Sequence, residues 1–487
     1  MDILTITSWI NGYMWGTMMV ALCMGVALYY SVILRFPQIR HIGCMLACLK
    51  GGASQSGLSP FQAFAMALGG RIGIGTIAGV ATGIYFGGPG AVFWMWVYAI
   101  LGAATAFGES VLAQIWKEDI NGEYKGGPGY YLAKTPFPIL SFLFVIPSVF
   151  AFTGPTIQAH SIAEAFNVAF GMDKTVTGIV LAVAFGIIML GGMKRIGQCA
   201  EYVVPFMAGA YIVVTVVVLV MNLTSIPAMF ALIIKSAFGL EAAYGGIVGS
   251  AVMWGIRRSV YSSEAGMGSG AHAAASSEVS HPVKQGMVQA FSVYSTLIVC
   301  TATALMILVT GAYNVTDGVQ DVFAGLPGIE AGVGYTQAAI DTVSPRQGVG
   351  AVFVALAILF FAFTTIMSFG FYGAVNVTYL LKRSRWLKIG LAALTLGQMF
   401  SIIFGSANTA VVAWNIADMG VGMGVWINLI GMIFLAKPVV IALRDFERQQ
   451  ALGRDPVFEP RALGIEGADL WEKIVAERYR EASDGES

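Results

Sequence analysis

Leu68-Gly-Gly-Arg-Ile-Gly-Ile-Gly-Thr-Ile-Ala-Gly79 is the stretch that decides the fold. It lies in an apolar run long enough to enter a bilayer, yet glycines at 69, 70, 73 and 75 and the charge of Arg71 interrupt that run. Within hydrocarbon every backbone N–H and C=O needs a partner, so irregular backbone persists only where it lines a protein cavity or holds something. Ser263-Glu-Ala-Gly-Met-Gly-Ser-Gly270 repeats the pattern in the second half of the chain. A matched pair of interrupted helices points to inverted repeats around a mid-membrane site, the plan of secondary transporters.

Composition supports a membrane protein. Of the 487 residues 57% are hydrophobic and 11% charged, against about a quarter charged in soluble domains. The net charge is zero but unevenly spread: residues 444–487 hold 7 basic and 11 acidic side chains, and the tail is therefore expected to be a solvated appendage. No basic patch or nucleic-acid motif is present in the sequence. Met1-Asp-Ile-Leu-Thr lacks the basic start of a signal peptide, so the first apolar segment is expected to remain as a helix. The cysteines at 23, 44, 48, 199 and 300 include one CxxxC pair, Cys44 and Cys48, with no second pair at zinc spacing. They read as small apolar packing residues.

Eleven spans of bilayer length can be drawn: 13–35, 61–86, 88–115, 137–168, 174–193, 199–221, 242–273, 286–311, 349–380, 387–405 and 408–436. The stretch 224–240 is too short to cross and is expected at the surface, and 312–348 is the longest connection. Thirteen basic residues fall on one side: Arg35, Arg40, Lys50, Lys117, Lys125, Lys134, Lys194, Arg195, Lys284, Lys382, Arg383, Arg385 and Lys388. Three fall on the other, Lys174, Lys235 and Arg346. This bias sets the N-terminus outside and the C-terminus in the cytoplasm of a multi-pass inner-membrane protein. Removing the first span leaves two fives, each opening on an interrupted segment, and an odd number of helices per half makes the halves antiparallel. The expected divisions are 1–60 (extra helix and linker), 61–221 and 222–440 (the repeats) and 441–487 (the tail).

Gly73-x-Gly75-x-x-x-Gly79 has the wrong spacing for a dinucleotide fingerprint and no supporting strand or acidic residue. Its glycines instead free the backbone to unwind, so that N–H groups at a half-helix start face an anion and carbonyls face a cation. An amino-acid carboxylate and sodium meet those two needs. At the second break Gly266, Gly268 and Gly270 act alike, with Ser262 and Ser263 offering hydroxyls. Charges within spans are costly and mark function or structural pairing. Arg71, Glu109, Arg257, Arg258, Glu264 and Asp418 are the intramembrane charges considered. Arg71 or Arg258 paired with Glu264 would hold the unwound segments, a structural role balanced against a binding one; for Glu109 the structural role is favoured. Gln158 is a mid-span amide that either bonds across helices or reaches the substrate's ammonium or carboxylate, the second reading being favoured. Thr364 and Thr365 are adjacent hydroxyls able to face the first break, and oxygen is what sodium, a hard cation, takes. Arg257 or Arg258 with Asp418 reads as a gate pair.

Several motifs carry a family resemblance: Leu58-Ser-Pro-Phe-Gln62, Gly75-Thr-Ile-Ala-Gly-Val-Ala-Thr82, Gly87-Gly-Pro-Gly-Ala-Val-Phe-Trp-Met-Trp96, Lys125-Gly-Gly-Pro128, Arg258-Ser-Val-Tyr-Ser-Ser-Glu-Ala-Gly-Met-Gly-Ser269, Ser280-His-Pro-Val-Lys-Gln-Gly286 and Phe361-Ala-Phe-Thr-Thr365. Over residues 13–440 the chain resembles the alanine or glycine:cation symporter family. The resemblance implies an all-α LeuT-type fold with a 5+5 inverted repeat and one extra N-terminal helix. It implies sodium-driven uptake of a small neutral amino acid by alternating access, with no cofactor besides the coupling ion. Carried over by position, the substrate carboxylate would meet Gly70, Arg71, Gly73 and Gly75, its side chain would lie near the second break, and sodium would lie near the Gly69 and Ile72 carbonyls with Thr364 and Thr365. The chain departs from the family at Thr76, His160 and Ser263, where asparagine is usual; Thr76 and Ser263 are read as widening the pocket. The expected partners are the amino acid, sodium and the lipid bilayer, with the protein working as a monomer and binding no nucleic acid. A proton-coupled carrier of the same fold is the alternative. A membrane-embedded enzyme lacks a paired nucleophile or metal set, and a channel lacks repeated filter residues.

Overall fold

The computed structural model describes residues 3–50, 57–408 and 410–485. Residues 51–56 of the expected linker and residue 409 of the last expected span lie outside the described residues. By length and composition, seven described helices suffice to cross a membrane: Pro60–Gly87, Gly90–Ile115, Ile139–Phe170, Gly192–Met221, Pro282–Val309, Val349–Leu381 and Leu387–Ala407. Two bent pairs, Leu223–Ala237 with Ala242–Ser263 at 46° and Asp418–Phe434 with Ala436–Ala451 at 65°, raise the number to nine. Thr17–Ile33 and Lys174–Met189 are shorter apolar helices. A helix therefore stands at the position of every expected span, although several are too short or too bent to qualify alone.

Burial orders these helices from centre to rim. The apolar window of Pro60–Gly87 is wholly buried, whereas only 17% of the Leu387–Ala407 window and 28% of the Gly192–Met221 window are covered. The first broken span thus has protein on every side, and the helices rich in exposed leucine, valine and phenylalanine face outward, where lipid would accept them. Small residues allow the close approach. Gly90 packs against the Ser236–Ala237 backbone, and Gly255 against Ala91 and Trp94, distances at which a methyl group would collide.

Two further interruptions appear. The expected span 137–168 divides into Ile139–Thr153 and Thr156–Phe170 at Gly154-Pro155, since proline cannot continue the hydrogen-bond ladder. The first expected span is likewise part of a longer pair, Ile3–Met14 and Thr17–Ile33, broken at Trp15-Gly16. Helix Ile226–Ala237 lies in the stretch judged too short to cross and packs beside Trp94, whose Nε1 donates to the Ala237 carbonyl at 3.4 Å. Residues 312–348 are ordered by a hairpin, Asn314–Thr316 with Asp321–Ala324, and by helix Val333–Asp341.

The tail is not a solvated appendage. Helix Ala436–Ala451 turns away from the last span, and residues 452–477 return along the end of the bundle opposite the 312–348 loop. Phe458 and Trp471 are fully buried there. The charge count concealed this, because Asp455, Glu466, Asp469 and Glu477 are exposed on a segment anchored by two buried aromatic rings.

Candidate functional site

The first broken span begins with a capping box: Ser59 Oγ accepts from Gln62 N, Gln62 Oε1 accepts from Ser59 N, and Pro60 occupies the first turn. Pro60–Arg71 then stops at Ile72 and the chain restarts as Ile74–Gly87. The carbonyls left without helical partners at the stop need donors. Thr365 Oγ1 donates to Gly69 O at 2.9 Å and approaches Gly70 O at 3.4 Å, while Thr364 Oγ1 reaches Gly69 O at 3.3 Å. Ser368, one turn on, donates to Met66 O at 2.9 Å. A Cβ on Gly73 would overlap Thr365 Oγ1, so glycine is required where the two helices meet. The structure thus brings Gly69, Gly70, Thr364 and Thr365 together as expected, whereas Ile72 O accepts no hydrogen bond from either threonine.

The second break runs from Ser263 to Gly268, with Glu264, Gly266 and Gly268 all at positive φ (53°, 85° and 79°). Non-glycine residues rarely take that conformation, so Glu264 marks a strained position. Short helix Ser269–Ala275 follows. Glu109, fully buried, holds this break: its Oε2 accepts from Gly268 N at 3.1 Å and from Asn428 Nδ2 at 3.1 Å. Asn428 also donates to Gly266 O at 2.9 Å and accepts from Tyr131, and Tyr98 donates to Ala265 O at 2.8 Å. Glu109 therefore has the structural placement that the sequence favoured.

Between the breaks lies an enclosed cavity of about 10 Å³, room for roughly one water, lined by Gly70, Arg71, Gly73, Ile74, Gly75, Gln158, Tyr261, Glu264, Met267, Thr365, Phe369 and Val421. Buried polar atoms converge on it. Among the described residues Gln158 Oε1, Glu264 Oε2 and Arg71 Nε and Nη2 make no hydrogen bond. Unpaired polar atoms at such depth cost free energy that a polar ligand would recover. Arg71 does not reach Glu264; its Nη1 donates instead to Gln289 O and Oε1, both at 3.1 Å. That expected pairing is corrected. Gln289, on Pro282–Val309, carried no motif and was not visible in the sequence as a partner.

Thr76, Ser262 and Ser263 also differ from expectation. Thr76 Oγ1 donates to Gly73 O at 2.8 Å, Ser262 Oγ to Ser259 O at 3.3 Å and Ser263 Oγ to Ser259 O at 2.6 Å. Their hydroxyls serve their own helices, the habit of serine and threonine in apolar surroundings, and none lines the cavity. Gly266 and Gly268 shape the second break without lining it either. His160 faces a separate cavity of about 810 Å³ beneath the 312–348 loop, with Ser161, Glu164 and Lys174. Tyr261, Met267, Phe369 and Val421 are the apolar and aromatic wall that sequence reading missed, because nothing distinguishes them from ordinary packing residues until the helices are assembled.

Above the break on the loop side opens a cavity of about 860 Å³ that includes Trp15, Trp254, Arg257, Arg258, Glu330 and Asp418. Arg257 forms an ion pair with Asp418 across it. The Arg257 guanidinium lies 5.2 Å from the Trp15 ring and 4.8 Å from the Trp254 ring, and Trp15 Nε1 donates to Asp418 O at 2.9 Å. Arg258 stacks on Trp254 at 5.0 Å. Of the two candidates for the Asp418 pair, the geometry selects Arg257. Cys44 and Cys48 lie with sulfurs 3.8 Å apart, and among the described residues no group of three potential metal ligands occurs.

Interrupted helices crossing beside a polar cavity define a membrane transporter of the LeuT-type fold. Consistent with that fold, a crystal structure of MhsT in complex with L-phenylalanine superposes with a TM-score of 0.55 at 14% identity, covering 81% of this chain and 97% of that one. The chain belongs to the sodium:alanine symporter family, which it matches over residues 1–460. YrbD of Bacillus subtilis (strain 168) is 49% identical over 473 residues, 95% of this chain and 96% of that one. A sodium/proton-dependent alanine carrier protein of Bacillus sp. (strain PS3) is 45% identical over 436 residues, 87% of this chain and 95% of its own length. The protein is a multi-pass membrane amino-acid symporter and not an enzyme.

Proposed function

We propose that this protein couples sodium entry to uptake of a small neutral amino acid, with alanine the preferred substrate and glycine and serine next. The observation that carries the reading is the meeting of Thr364 and Thr365 with the Gly69 and Gly70 carbonyls beside the enclosed cavity. Two hydroxyls and carbonyls released by a helix break form an oxygen set suited to a hard monovalent cation. The substrate carboxylate would sit at the start of Ile74–Gly87, where the helix dipole favours an anion. Once the helices flanking the breaks part to widen the cavity beyond a single water, its ammonium would meet Gln158 Oε1 and Glu264, and its methyl group the wall of Met267, Phe369 and Val421. Sodium and substrate then stabilise the same unwound segment, so each raises affinity for the other by the same factor.

In this reading residues 61–221 and 222–440 are the inverted repeats and work within one monomer. The 312–348 loop and the Arg257–Asp418 pair face the outside, the tail faces the cytoplasm, and the location is the inner membrane. The description of the PS3 relative supports alanine as substrate and leaves two coupling ions to separate. Protons are the second reading, favoured by the buried carboxyls Glu109 and Glu264 at the second break. Uptake of labelled alanine into proteoliposomes tests both: accumulation should require an inward sodium gradient, and a pH gradient alone should not drive it. Accumulation under the pH gradient without sodium would replace sodium by protons, and no concentrative uptake of any small neutral amino acid would end the proposal.

A further inference from the structure

At the end of the bundle away from the 312–348 loop the two broken spans are joined through their flanking chain. Leu58, just before the first span, takes a parallel bridge to Ser277, just after the second: Leu58 N donates to Ser276 O at 2.8 Å and Glu278 N to Leu58 O at 3.0 Å. The end of helix Gly90–Ile115 and the residues just after it clamp the same turn. Gln114 Nε2 donates to Ala274 O and, at 2.9 Å, to Ser277 O, and Lys117 Nζ donates to Ser277 O at 2.9 Å. A solute leaving the central cavity at this end has to pass between these spans, so this stitch must loosen.

The C-terminal segment lies on top of the stitch. Trp471 Nε1 donates to Gln114 O at 2.7 Å, on the residue whose side chain clamps Ser277. The Lys117 ammonium sits between two rings, 5.0 Å from Trp471 and 4.3 Å from Tyr124. Phe458 N donates to Ser280 O at 3.0 Å, and its ring packs at 5.2 Å on Trp471 and 5.3 Å on His281. Ser280 Oγ donates to Pro456 O at 2.8 Å, and Lys284 pairs with Asp455 at 2.5 Å. Trp116 Nε1 donates to Glu466 O at 3.0 Å. One segment therefore binds both sides of the seam, the Gln114–Lys117 side and the Ser277–Lys284 side. A cation held over two aromatic faces and two buried rings is a strong but reversible attachment.

We infer that residues 452–477 are the latch of the exit: they must leave Gln114, Lys117 and the Ser276–Ser280 turn before the two broken spans part. This rests on the reading that the solute leaves at the face carrying the tail. Lys117 is then a positioning residue, acting on the gate through Ser277 and never touching the substrate.

Ser280 Oγ lies 3.3 Å from Asp455 Oδ2 at the rim of the contact, so Ser280→Cys with Asp455→Cys places two thiols there without touching the aromatic core. Cys44→Ala and Cys48→Ala remove the neighbouring native thiols. In proteoliposomes with sodium on both sides, oxidation should slow labelled alanine exchange at least about tenfold, a reductant should restore it, and sodium-dependent alanine binding should persist in the oxidised protein. Exchange as fast as in the uncrosslinked protein after complete disulfide formation overturns the latch. Absence of exchange in the parent protein would instead defeat the functional reading, and the latch is then judged by hydrogen exchange. Trp471→Ala should raise amide exchange at Ser276–Ser280 and Leu58 on the order of tenfold while leaving the Thr364–Ser368 turn unchanged. Equal protection in parent and Trp471→Ala overturns it.

Discussion

Single side chains at the breaks decide what the cavity can hold. Thr365 Oγ1 is the donor nearest Gly69 O, and removing it takes one oxygen from the proposed cation set. Thr365→Ala should raise the sodium concentration for half-maximal alanine uptake about tenfold, since one ligand is worth about 1.4 kcal/mol at that factor. Measured expression and helicity should stay at parent levels, and an unchanged sodium dependence would remove Thr365 from the site. In the proposed site the apolar wall would set substrate size. Val421 lines the cavity, whereas Thr76 and Ser263 turn to their own backbones. Val421→Ala opens about the volume of two methyl groups, and one methylene in such a pocket is worth about 1–3 kcal/mol. Competition assays with glycine, alanine, serine and larger neutral amino acids should shift toward the larger ones. A ranking identical to the parent's would place the wall elsewhere.

Elements are coupled by pairs that cross from one to another. Arg257, in the middle of Val248–Ser263, meets Asp418 on the last span, and Trp15 of the N-terminal break holds the Asp418 carbonyl. Removing one partner of a largely buried pair leaves an uncompensated charge, a cost of about 3–5 kcal/mol. Arg257→Asp or Asp418→Arg alone should therefore abolish most uptake, and the double exchange should recover part of it. A double variant no better than the worse single one would show that the pair does not form in transport. On the opposite face His281 lies fully buried between Phe446 and Phe458, with Nε2 3.5 Å from Asp445 Oδ2. Burial holds its imidazole below the usual value of 6.5, against the opposing pull of Asp445. Lys284 and Asp455 also face it, and Arg448 pairs with Asp445. Because the docked state disfavours the imidazolium, docking gains stability with rising pH until the free histidine is neutral, and loses it as pH falls below about 6.5. A fluorophore reporting tail docking should show release on mild acidification, and His281→Gln should flatten that response. Release with the same pH midpoint in His281→Gln would assign the titration to another group.

Across the whole molecule, the proposed orientation rests on the bias of thirteen basic residues against three. Single cysteines in the 312–348 loop should react with an impermeant thiol reagent added to intact cells, and cysteines beyond Arg444 only after permeabilisation. Reversed labelling would invert the direction of the gate and of the latch together. The Arg257–Asp418 pair on the side of the 312–348 loop and the docked tail at the other end flank the central cavity. An enclosed site with one ion-paired face and one latched face is the arrangement from which alternating access departs in either direction.

By itself the sequence determined the class of fold, the location of both breaks and the pairing of Thr364 and Thr365 with the first of them. These follow from local rules: apolar length, glycine where backbone must unwind, and hydroxyls where carbonyls lose their helical partners. It also placed Arg257 or Arg258 opposite Asp418, since intramembrane charges have few possible partners. Tertiary structure alone decided which arginine pairs, because the two are adjacent on one helix and only their directions differ. It alone turned Arg71 to Gln289, turned Thr76, Ser262 and Ser263 to their own backbones, and chose Tyr261, Met267, Phe369 and Val421 as the cavity wall. The tail shows the reason most plainly. Its charge is a sum over residues and reads as solvated, but Phe458 and Trp471 dock on groups hundreds of positions earlier in the chain, and no local pattern encodes a surface that exists only after the helices have packed.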